Sequence, residues 1–144
     1  MSTPPNPLTT ARNFGALRAA DSFLRALGGT QISLRIPSPV SNPGTASEIG
    51  LAAPLYQDVA LAPAVVRALI NSKPTIAQAR FEFLISATAV QQQMLLNNFS
   101  SAADFFSSAL GIVYNSDLLR IEQLASDDFA GAPYLYRVTC WLPA

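Results

Sequence analysis

The chain has 144 residues, half of them hydrophobic and only 12% charged, with nine bases, nine acids and no histidine. Ordinary soluble domains carry roughly 25% charged residues, so a lone monomer of this composition at zero net charge has little to hold it apart from its neighbours. The missing histidine removes the commonest general base at neutral pH, the single Cys140 excludes an internal disulfide, and the lack of any Lys/Arg cluster argues against sequence-specific nucleic-acid binding.

Residues 1–9 read as a flexible, Pro-rich N-terminal arm, because Pro4, Pro5 and Pro7 block regular hydrogen bonding. The start has no basic segment followed by an apolar one, so no secretory signal is expected. Residues 10–144 are expected to form one α+β domain. The pattern predicts a helix over Thr10–Leu27, with Phe14, Leu17, Asp21 and Leu24 on one strip and Ala16, Ala20, Phe23 and Leu27 on a neighbouring, more apolar one. Thr9 or Thr10 can cap its start, and Gly28–Gly29 stop it. Arg12, Arg18 and Arg25 fall near its polar side.

Gln31–Ile36 alternates cleanly, with Ile32, Leu34 and Ile36 to one face, and predicts a half-buried strand ended by Pro37. Residues 37–54 hold four prolines and two glycines among serines and asparagines, the signature of a long projecting loop. Loops of that length in compact domains are mostly functional or disordered, which makes Pro39, Asn42 and Pro43 candidate partner contacts. Two runs, Tyr56–Leu61 and Ala64–Ile70, straddle Pro63. They are expected to be strands with Asp58 and Arg67 outward, the second being open to a short helix instead. A connection over Asn71–Ala79 leads to a strand over Arg80–Ser86 and a helical turn or two over Ala87–Asn97.

Ser101 with Asp104 predicts a capped helix over Ala102–Leu110, stopped by Gly111. Three strands follow, Ile112–Tyr114, Leu118–Leu124 and Pro133–Leu142, joined by Asn115–Asp117 and an acidic loop over Ser126–Ala132. The last strand is apolar on nearly both faces, with Tyr134, Tyr136, Val138, Cys140 and Leu142 on one and Leu135, Arg137, Thr139 and Trp141 on the other. It must be central or covered by a partner.

No nucleophile–histidine pair, phosphate loop or dinucleotide fingerprint is present, and neither a metal nor a cofactor is expected. The longest uncharged run, Phe83–Ala103, is broken by Gln91–Gln93 and Asn97–Asn98, so no membrane span is expected. Charge is unevenly placed. Residues 1–36 hold Arg12, Arg18, Arg25 and Arg35 against Asp21, whereas residues 100–144 hold Arg120 and Arg137 against five acids that include Asp127 and Asp128. A solvated face or chance accounts for this, and so does a basic rim that meets the acidic rim of a neighbouring copy. On the second reading the assembly interface comprises Arg12, Arg18, Arg25, Pro39, Asn42, Pro43, Asp127, Asp128 and Trp141.

Together the elements predict a mostly β, α+β fold: a small antiparallel β-barrel or sandwich with an N-terminal helix and one or two short helices. The closing pattern, Leu118-Leu-Arg-Ile-Glu-Gln-Leu, a loop, then Tyr134-Leu-Tyr-Arg-Val-Thr-Cys, resembles the small head–tail connector proteins of tailed bacteriophages, the stopper or head-completion group. The likeness covers residues 30–142; the leading helix and Pro-rich arm depart from it and leave a tail terminator or another neck component open. The resemblance implies a non-enzymatic virion subunit, assembled in the host cytoplasm. Its copies would form a ring between the portal or adaptor and the tail tube or tail terminator, with the genome passing through the channel. The alternative is a small β module that binds an apolar ligand or a host protein, with Tyr134, Tyr136 and Trp141 as anchors.

Overall fold

The computed structural model describes residues 7–38, 55–69 and 79–143. Helix α1 (Pro7–Ala26) comes first, then strands β1 (Thr30–Pro37), β2 (Tyr56–Leu69) and β3 (Arg80–Ser86). Helices α2 (Ala87–Leu96) and α3 (Ala102–Ser108) follow, and β4 (Gly111–Tyr114), β5 (Asp117–Phe129) and β6 (Ala132–Trp141) end the fold. The strands close into a barrel in the order β1–β2–β3–β6–β5–β4, and β4 returns to β1. Every pairing is antiparallel. Of the barrel and the sandwich that the sequence left open, the chain is thus the barrel, mostly β and with the expected N-terminal helix. Among the described residues no helix is long and apolar enough to cross a membrane.

The barrel interior follows from period-two alternation. Ile32, Leu34 and Ile36 of β1 point inward, together with Val59 and Leu61 of β2, Phe83 and Ile85 of β3, and Ile112, Leu119, Tyr136, Val138 and Cys140 from the last three strands. Helices α2 and α3 close one end by adding Ala87, Ala89, Val90, Phe105 and Phe106 to the same cluster. Aromatic rings run in tilted contact from Phe99 through Phe105 and Phe106 to Tyr136, with centroids 5.2, 5.4 and 5.9 Å apart. Edge-on and tilted aromatic pairs add to plain burial, so this line ties α3 to β6.

Local chemistry sets the ends of the elements. Gly28 (φ +82°) and Gly29 form a Schellman stop: Gly29 N–H donates to the Leu24 carbonyl at 2.8 Å, and Gly28 N–H to Arg25 at 3.0 Å. Ser101 caps α3, accepting from the Asp104 N–H at 3.1 Å. Replacing Ser101 by alanine is expected to lower stability by about 0.5–2 kcal/mol in chemical denaturation, the usual cost of a lost N-cap.

Four boundaries differ from the sequence reading. Helix α1 begins at Pro7 and so takes residues 7–9 from the expected arm; a proline at the first helical position gives up only an N–H that has no helical partner. Residues 1–6 lie outside the described residues.

The runs on either side of Pro63 are one strand. Thr30 faces Ala64 and Ile32 faces Leu61, so Ala62 and Pro63 bulge opposite Gln31, where the missing N–H costs no ladder bond. The bulge is also where β2 turns from β1 toward β3. The Ala62–Pro63 peptide is cis.

Helix α3 ends at Ser108 rather than Leu110, because the Leu110 N–H already donates to the Arg35 carbonyl of β1 at 2.7 Å. Gly111 therefore opens β4 and does not stop a helix. Lastly, the expected acidic loop is strand: β5 runs to Phe129, and the hairpin turns on Ala130–Gly131 alone, both at positive φ as a two-residue turn requires.

Candidate assembly surface

Helix α1 lies across the outside of the barrel against β6, β2 and β3. Its buried line is Ala20 and Leu24 with half-buried Leu17, and beneath it Leu135 of β6 is 7% exposed. Ala20, Leu24 and Leu135 lie outside the main core cluster and make a second, smaller apolar seam, which Leu17 links to that cluster. A polar pin holds the helix in register. The hydroxyl of fully buried Ser86 donates to the Asp21 carboxylate at 2.6 Å and accepts from the Ala89 N–H at 3.3 Å, so one side chain joins α1, β3 and the start of α2.

The outer face of β6 is therefore covered in part by the chain's own helix, and β6 pairs with β3 on one side and β5 on the other, as every strand of a closed barrel has two neighbours. The buried line draws on both strips expected on α1, Leu24 and half-buried Leu17 from one and Ala20 from the more apolar one. Of the latter Phe23 is 58% and Leu27 52% exposed, and Phe14 of the former is 59% exposed. A helix resting on a convex barrel touches it along a narrow line, which here is filled by Ala20 and Leu24. Large rings on either flank stay outside.

At 100° per residue, Phe14, Arg18 and Arg25 fall within about 40° of one another on one flank, and Phe23 falls on the opposite flank. The Arg18 guanidinium sits 5.8 Å from the Phe14 ring centroid, so the first flank is both aromatic and cationic. The second flank borders a groove of about 450 Å³ between α1 and the β5–β6 hairpin. Ala16, Phe23, Phe129, Leu135, Asp127 and Asp128 are among its lining residues.

The remaining charges are mostly paired within the chain. Asp127 accepts from Arg137 at 2.8 and 2.9 Å, and Arg137 also approaches Glu82, which pairs with Arg67 at 2.6 Å. Arg80 meets Glu122 at 3.2 Å. Arg35 grips Asp58 through two bonds of 2.9 and 3.2 Å while lying 4.0 Å over the Tyr56 ring. The hydrogen bond from Arg35 holds the Asp58 carboxyl below the usual carboxylate range. Asp127 is thus not a free acid awaiting a neighbour. Asp128, exposed and accepting among the described residues only from the Ser126 hydroxyl at 2.8 Å, is the freer of the two. Among the described residues Arg18 and Arg25 make no ion pair.

The other candidate residues are scattered. Arg12 lies in α1 with its side chain outside the described set, and Pro39, Asn42 and Pro43 also lie outside it. Trp141 is half-buried at the end of β6, with the Arg120 guanidinium 6.0 Å from its ring centroid. Of the three proposed aromatic anchors, Tyr134 lines the groove, whereas Tyr136 is 6% exposed and turned into the barrel. The basic helix and the acidic hairpin, expected to belong to different copies, border one groove in a single chain. Sequence reasoning placed Phe23 on the apolar strip of α1 without giving it a site, and it passed over Phe129. The signal for Phe129 was its place beside Asp127–Asp128 just before a turn.

Among the described residues no three His, Cys, Asp or Glu side chains converge as a metal set. Cys140 is fully buried, and desolvation pushes its thiol up to about 12. Since the thiolate is the reactive form, Cys140 is expected to resist maleimide at pH 8 in native protein and to label only in denaturant. Fast native labelling would show that the barrel opens at β6. Comparison with protein-family models, with curated proteins and with solved structures finds no match to this chain.

Proposed function

We propose that the protein is a structural subunit of a symmetric ring, standing in the neck of a tailed-phage particle between the portal or adaptor and the tail. The observation that supports this most is a filled barrel that still presents large apolar side chains outside. Phe14, Phe23, Leu27 and Phe129 border α1 and its groove, and Leu95, Leu96 and Leu110 are exposed at other sites. Exposed aromatic and aliphatic groups in such number mark surfaces made to be covered. The low charge content agrees, because few charged side chains would have to be desolvated on assembly. The neck assignment draws on the order of elements and the closing hairpin quoted above.

The alternative, a module for an apolar ligand or host protein, draws on the same groove, since the barrel interior is filled by its own side chains. Light scattering across a concentration series separates the two. The ring reading expects mass to rise with concentration toward a closed multiple of the chain, with annular particles in negative stain. A monomer at every concentration, also in the presence of portal and tail-tube proteins, would overturn it.

A further inference from the structure

Resting on that ring reading, we infer that the groove between α1 and the β5–β6 hairpin receives the Phe14–Arg18–Arg25 flank of α1 from a second copy of this chain. Three observations converge. The groove has an apolar wall, Phe23, Phe129 and Leu135, and its ionisable rim is Asp127, Asp128 and Arg137, one negative charge in surplus. The opposite flank of the same helix offers an exposed ring and two guanidinium groups that make no ion pair among the described residues. Charge and apolarity are therefore complementary between the flank and the groove.

The two surfaces also point the right way. Groove and flank lie on either side of the buried line of α1, each about 100° round the helix from it. One copy can then give its flank to one neighbour while its groove accepts from another. A contact between unlike surfaces repeats head to tail and closes into a ring when the rotation between copies permits. The pin from Ser86 to Asp21 fixes α1 on the barrel, so both surfaces are presented at a set angle.

Single-cysteine probes test this directly, because buried Cys140 does not compete for a crosslinker. Arg18→Cys and Asp128→Cys chains, mixed and treated with a short bismaleimide, are expected to give a covalent dimer that neither gives alone. Arg18→Glu with Arg25→Glu is expected to weaken self-association about tenfold or more, and Asp128→Arg in the same chain to restore part of that loss. A dimer from Asp128→Cys alone would mean a two-fold contact and would overturn the head-to-tail assignment. A link within one chain between cysteines at Ser2 and Asp128 would make the chain's own start the occupant, which also overturns it. Oligomers that form in full but give no mixed crosslink would sink this contact and leave the ring reading standing, whereas a monomer throughout would remove both.

Discussion

Replacing Phe83 by alanine is expected to lower the free energy of unfolding by about 3–5 kcal/mol, a large part of what a domain of this size possesses. Phe83 has no exposed surface and sits in β3 between Val66 of β2 and Val138 of β6. Its ring meets Tyr114 of β4 edge-on at 5.8 Å, so it spans the barrel as well as filling it. Truncation removes apolar area and leaves a void that strands tied on both sides cannot collapse to fill. Urea denaturation should show a lower midpoint at an unchanged slope, with Phe83→Leu losing less. A loss below about 1 kcal/mol would show that the interior is loosely filled.

The second large effect is expected at Gly111. It opens β4, opposite Arg35 of β1, and a Cβ built there would run into the Leu119 carbonyl of β5. Its φ of +153° is one that L side chains rarely adopt. Flexible side chains can move aside, but a ladder carbonyl cannot shift without breaking its own pairing. Gly111→Ala is therefore expected to cost about 2–5 kcal/mol, combining overpacking with backbone strain. Its amide-exchange signature should be local, with faster exchange along β1, β4 and β5 than at the β3–β6 pair. By contrast Gly15, inside helix α1, has open space around it, and Gly15→Ala should be neutral or mildly stabilising.

Much of this architecture is written in short-range chemistry. The alternation of Ile32, Leu34 and Ile36, the Ser101 cap and the Gly28–Gly29 stop are each set by neighbours in sequence, and they hold in three dimensions. What escaped depends on partners far along the chain. Pro63 reads as a break because its neighbours cannot show that Gln31 faces a bulge. Gly111 reads as a helix stop because nothing local reveals that Leu110 already bonds to Arg35. Asp127 and Asp128 read as a loop, since acids before a Gly and a Pro imitate a turn; Arg137, ten residues on, keeps Asp127 in the strand. The candidate surface shows the same division. The charge asymmetry was visible from residue counts, but the approach of α1 to the β5–β6 hairpin inside one chain was not.

Closure of the barrel has a consequence for a protein so poor in charge. Sheets with a free margin can recruit strands from other chains, and natural proteins commonly discourage this with lysines, prolines or bulges at the border. Here β1 and β4 join, so among the described residues each strand has a hydrogen-bonded neighbour on both sides over part of its length. One-sided stretches such as residues 120–129 of β5 are what remains of a border. Ladder geometry thus substitutes for electrostatic repulsion against amyloid-like templating. The sparsely charged exterior can then serve side-chain recognition with less risk of backbone-driven clumping.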